Sequence, residues 1–187
     1  MSVYGDSLAA FGNAQVVEIP PDLIASPYGG IKNTNDATAK NPLGTLYRHK
    51  GNVYRYVKFD NGGHNVAALS GGPVHWKALN PAIGTFTVTS DYTDTLMNIN
   101  AVAGIILNAV TDAYYTWIQV GGVALAKSHA SQVAGDVAIG ASTDLVFGRI
   151  AADGTLTSVP FGVAIEDLSA TEANKANTIL TSCLRAF

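Results

Sequence analysis

VAGIILNAVTDAYYTWIQVGGV, residues 102–123, is the stretch on which the fold turns. An apolar run, Ala103 to Val110, leads into the triplet Thr111-Asp112-Ala113. Tyr114 to Val120 then alternates, with Tyr115, Trp117 and Gln119 on one side and Tyr114, Thr116, Ile118 and Val120 on the other. Period-two alternation marks a strand with two different faces. The segment therefore predicts strand, turn, strand. Gly121-Gly122 adds a tight reversal into a further strand, Val123-Ala124-Leu125-Ala126. One face of the aromatic strand should fill a core and the other meet a neighbour. The alternation alone does not say which.

Outward from this hairpin, short strand signals continue in both directions. Downstream, the runs at 134–140, 144–148, 155–159, 162–165 and 177–184 are separated by turn residues such as Asp153-Gly154. Ser169 to Glu172 has the spacing of a capping box, which predicts one helical turn near Ala170 to Lys175. Many short strands at turn-spaced intervals predict a β-barrel or sandwich, assigned to residues 102–187. Upstream, Thr45–Arg48 and Val53–Phe59 flank His49-Lys50-Gly51-Asn52 as a hairpin. Further strands are expected at 65–69, 73–77 and 84–88, making 44–101 a β-rich unit with a connector. Residues 1–43 read as an extended arm. Their apolar positions are irregular, Pro20-Pro21 enforces extension, and Ser26 to Pro42 is rich in Gly, Asn, Thr and Pro. The fold class is all-β: a small barrel or sandwich preceded by a hairpin unit and an arm.

Composition narrows the function classes. Hydrophobic residues make up 48% of the chain and charged residues 13%, against roughly 25% charged in an ordinary domain. So little charge implies that neighbours cover much of the surface. A net charge of −3, with scattered cations, gives no electrostatic reason to bind nucleic acid or an anionic membrane. No run approaches the ~20 apolar residues of a membrane helix. The N-terminal residues lack the basic start of a signal peptide, so synthesis and maturation are expected in a cytoplasm. The single cysteine, Cys183, excludes an intrachain disulfide and reads as a small buried apolar residue.

Catalytic and cofactor motifs do not emerge. His49, His64, His75 and His129 are far apart in sequence and match no zinc spacing. His64, in Gly62-Gly63-His64-Asn65, is the most suggestive, yet it reads best as a loop histidine. Asp91 and Asp94 could meet a calcium ion but lack EF-hand spacing. Serine-nucleophile and phosphate-loop motifs are missing. The expectation is a non-enzyme without metal or cofactor. The aromatics Tyr54, Tyr56, Trp76, Tyr114, Tyr115 and Trp117 are read as core and interface residues.

Several of these elements together resemble the small capsid cement (decoration) proteins of tailed bacteriophages. They are the apolar strand Gly104–Val110, the aromatic strand running to Val123, the Ala-Gly-Asp-Val step at 134–137 and the Gly-Val-Ala step at 162–164. The segment Gly44–Phe59 is similar to one common in phage virion proteins. The resemblance implies a compact β-barrel, often trimeric, on the outside of a phage head. Its expected partners are the major capsid protein and further copies of itself. The long arm and extra β unit depart from that pattern and imply contacts across capsomer boundaries. Phe11, Val16, Val17 and Ile19 of the arm, and Tyr114, Tyr115 and Trp117 of the hairpin, are assigned to the interfaces. A glycan- or receptor-binding head fibre or tail component is the alternative, and it would need an exposed aromatic platform.

Overall fold

The computed structural model describes residues 34–80, 83–94, 102–127, 132–139, 147–150, 160–167 and 175–180. Its strands are β1 (Leu46–His49), β2 (Asn52–Asp60), β3 (Pro73–Asn80), β4 (Thr85–Thr89), β5 (Val102–Ile106), β6 (Tyr115–Lys127), β7 (Val137–Ile139), β8 (Gly148–Ile150), β9 (Pro160–Ala164) and β10 (Lys175–Leu180). The protein is all-β, and the described residues contain no α-helix. Of the helical turn expected at 170–175, residues 170–174 lie outside them and Lys175 begins β10 instead; arm residues Phe11, Val16, Val17 and Ile19 also lie outside.

Five strands close into a barrel in the order β2-β4-β3-β5-β6, with β6 returning to pair β2. β2 and β4 run parallel and the other pairs antiparallel. β1 pairs with Asn52–Arg55 of β2, short of the Lys58–Asp60 stretch that β4 takes. The second half of β6 carries a further sheet, β10-β9-β7-β8. The barrel therefore draws its strands from both sides of the boundary expected at 101/102. Residue 102 begins a wall of the barrel rather than a separate module.

The alternation in β2 sets the interior. Val53, Val57 and Phe59 point in, where they meet Val74, Trp76, Phe86, Val88, Ile105, Ile118 and Val120 in one buried cluster. Arg55 shares that face and is buried. Its guanidinium lies 5.7 Å from the Trp76 ring centre and 6.0 Å from that of Phe86, within cation–π range. Tyr54 and Tyr56 point the other way, into a second cluster with Tyr47 and Trp117.

The opening hairpin differs from expectation in two ways. β5 stops at Ile106 and pairs β6 only at Gln119 and Ile118. Beyond it, residues 34–36 take the edge of β6, with Asp36 bridging Tyr115. The turn itself forms, closed by the Tyr114 N–H donating to the Thr111 carbonyl at 3.1 Å, with Ala113 left-handed at φ 63°. The second difference concerns Gly121-Gly122, which do not reverse the chain. β6 runs unbroken for 13 residues. Gly122, at φ 84°, lies against the β1–β2 turn, where a Cβ would strike Asn52 Oδ1 and the Gly51 carbonyl. Residues 65–69, expected as a strand, form turns and irregular chain instead; Asn65 is left-handed at φ 58°.

Candidate functional site

Two places bring polar or aromatic groups together, and a third leaves apolar ones bare. The first lies at the end of the barrel where β2 and β4 finish. Gly62 has φ 76°, and a Cβ there would strike Asp91, so glycine lets the loop close onto that carboxylate. Asp91 is fully buried. Its Oδ2 accepts from the His64 backbone N–H at 2.9 Å and lies 3.0 Å from His64 Nδ1. Its Oδ1 accepts from the Thr93 N–H at 3.0 Å and the Thr93 hydroxyl at 2.6 Å. Burial pushes the Asp91 carboxyl up, but the bonds from Thr93 and His64 outweigh it and hold the group well below the ordinary carboxylate range.

An aspartate, a histidine and a hydroxyl in contact invite comparison with a catalytic triad. The geometry excludes it. A triad places the carboxylate on one ring nitrogen and the hydroxyl on the other. Here Thr93 Oγ1 sits 2.9 Å from Nδ1, the same nitrogen that faces Asp91. The Thr93 proton is already given to Asp91, so the ring donates and cannot act as base toward that hydroxyl. The neighbouring cation is a side chain: Lys77 Nζ lies 2.8 Å from Asp60 Oδ1 and 2.7 Å from Asp94 Oδ2. Its hydrogen bonds to Asp60 and then Asp94 raise its pKa. Among the described residues no group of three or more His, Cys, Asp or Glu is set to hold a metal ion. The constellation ties the ends of β2 and β4 to Lys77 of β3.

The second place is the outward aromatic cluster. Trp117 packs on Tyr56, with ring centres 5.1 Å apart, and Tyr115 stacks on Tyr56 at 6.3 Å. Residues 34–43 lie over them. The Tyr56 hydroxyl donates to buried Asp36 at 2.8 Å and accepts the Lys40 N–H at 3.2 Å. Lys40 Nζ pairs with Asp36 at 2.6 Å. Burial first, helped by Asp36, pushes the Tyr56 pKa up, so the phenol stays a donor. Thr34 adds its hydroxyl to the Trp117 N–H at 3.1 Å and its carbonyl to the Thr116 hydroxyl at 2.8 Å. Trp117 is thus 1% exposed and covered by its own chain, which corrects its assignment to an intersubunit contact. Tyr114 and Tyr115 stay half-buried, Tyr114 packing against the barrel core. Sequence reasoning missed Asp36 and Lys40, which sit in a Gly/Asn/Thr-rich run that reads only as loop.

The third place is the outer face of the second sheet. Val123 and Leu125 on β6, Val137 and Ile139 on β7, and Val163 on β9 are half-buried or exposed, as is Ile165 just past β9. The alanines between them, Ala124, Ala126, Ala138 and Ala164, are buried. No protein-family model, curated protein or solved structure matches this chain.

Proposed function

We propose that this chain is a virion structural protein that decorates and stabilises a phage head. The observation that carries the reading is the fixing of residues 34–43 to the barrel ahead of β1. Residues 34–36 pair with β6, and the hydrogen bond between buried Tyr56 and buried Asp36, with exposed Lys40 paired to Asp36, fixes the root to the barrel. Thirty-three residues precede that root, including Phe11, Val16, Val17 and Ile19. In this reading the segment that holds these four apolar residues attaches to a repeated surface while the closed barrel carries it. Ordering the root within the barrel lowers the entropy lost when the arm docks. The low charged fraction supports burial of surface on the major capsid protein and on neighbouring copies, as a homotrimer or other homo-oligomer. Many weak contacts on one shell then add by avidity. No catalytic step, cofactor, nucleic acid or membrane enters this reading.

The glycan- or receptor-binding reading needs an exposed aromatic platform. Trp117, Tyr54 and Tyr56 are instead buried, so decoration is preferred. The test is co-sedimentation with purified phage heads. Deleting residues 1–25 should leave the barrel folded and weaken head binding at least tenfold. Unchanged binding by the truncated protein would sink the arm-based mechanism, and no binding by the full chain would sink the decoration reading.

A further inference from the structure

We infer that the outer face of the second sheet is a contact between two copies of this chain, packed face to face about a two-fold axis that runs along the strands. The usual strand in a one-sided sheet turns its large residues inward. Here the order is reversed. In Val123-Ala124-Leu125-Ala126 the alanines are buried, and Val123 is 45% exposed. Val137-Ala138-Ile139 and Val163-Ala164-Ile165 repeat the pattern, with Ile165 47% exposed. The register sets Val123, Val163 and Val137, on β6, β9 and β7, at one level across the sheet. A row of aliphatic side chains on an open sheet is half of a sheet-on-sheet packing, in which two such faces lie about 10 Å apart.

Charge at the margin selects a second copy as the occupant. Lys127 ends β6 on this face, and no carboxylate among the described residues lies within 4.0 Å of its ammonium. Glu166 and Asp167 follow β9. Lys127 pairs with Lys175 on β10, and Thr178 of β10 pairs with Ala164 of β9, so β9 runs toward the level of Lys127; Asp167 follows its end past a bend at Glu166, with Oδ1 accepting the Ala134 N–H at 3.0 Å. Not paired with each other within one chain, Lys127 and Asp167 are brought together by the two-fold. It lays β6 of one copy over β7 of the other, one strand from the end of β9, and it preserves level along the strands. Each dimer gains this opposition twice, as an isologous interface requires.

Size sets the strength. Four strands about 4.8 Å apart and about five residues long cover roughly 300 Å2 per copy, below the ~800 Å2 per partner of a standard interface. The contact should therefore be weak and concentration-dependent, with a dissociation constant between about 10 μM and 1 mM.

Sedimentation velocity on the full chain over that range tests this without any phage head, so it fails or succeeds separately from the decoration reading. The wild type should move from monomer to dimer. Val163→Lys and Val123→Lys should each weaken association at least tenfold with unchanged thermal midpoints. Lys127→Asp should weaken it, and Lys127→Asp with Asp167→Lys should restore it. A chain that stays monomeric through the range overturns the proposal. So does an oligomer indifferent to all four variants, or substitutions that spare self-association but abolish head binding, which would assign the face to the shell.

Discussion

Asp91 holds the loop ends of the barrel by accepting hydrogen bonds from two backbone N–H groups, one hydroxyl and one imidazole. Bonds to a buried charged acceptor contribute more than neutral ones, and removing the acceptor strands its donors. Asp91→Ala should lower stability by about 2–3 kcal/mol. The group also sets an acid limit. Its folded pKa is depressed, whereas the unfolded carboxyl titrates near ~3.9. Its contribution is therefore fully present above that value and is lost as pH falls toward the folded pKa. Denaturant midpoints measured from pH 7 to pH 2 should fall steeply below about pH 4 in the wild type. They should fall less steeply in Asp91→Asn. Parallel curves for the two proteins would remove Asp91 from the acid response.

At the scale of the element, β6 links every part of the described structure. It pairs with β2, β5, β10 and residues 34–36. Its one special backbone position is Gly122, left-handed and pressed against Asn52 and Gly51. Gly51 has nearly the same φ, 82°, but open space around it. Comparing alanine at the two sites separates dihedral cost from close approach. Gly51→Ala should cost about 1–2 kcal/mol, and Gly122→Ala about 1–3 kcal/mol more from the clash. Equal unfolding temperatures for the two variants would mean the turn yields freely. Much of this element was legible in sequence. The Tyr115/Trp117 and Thr116/Ile118/Val120 faces follow from period-two alternation, and so does the inward set of β2. Three features were hidden because they depend on distant chain. Residues 34–36 replace β5 beside Tyr115, two glycines bend toward a turn 70 residues away instead of reversing, and Trp117 is covered from upstream. The Val-Ala and Leu-Ala alternation of 123–126 was visible, but the rule that large residues face inward gives it the wrong sense.

Across the whole molecule, the barrel is complete between Asn52 and Lys127, while among the described residues β7 to β10 join it by strand pairing through the second half of β6. Closure is what removes the barrel's free edges, and none of the five closing strands comes from the later sheet. The later sheet still contributes packing. Ala138, Phe147 and Phe161 join the same apolar cluster as the barrel interior, with the two phenylalanine rings 4.2 Å apart. A fragment of residues 34–127 should therefore keep the closed barrel and unfold cooperatively, at a lower temperature than the full chain, because it retains every closing pair and the 34–43 cover but loses that packing. Both tryptophans of the chain, Trp76 and Trp117, lie in the barrel and are buried, so their fluorescence reports on the barrel and not on the later sheet. The fragment's emission should match that of the full chain and shift red only on heating or in denaturant. Emission at the unfolded position from the outset would mean that barrel and later sheet fold as one unit and that the packing from Phe147 and Phe161 is indispensable to closure.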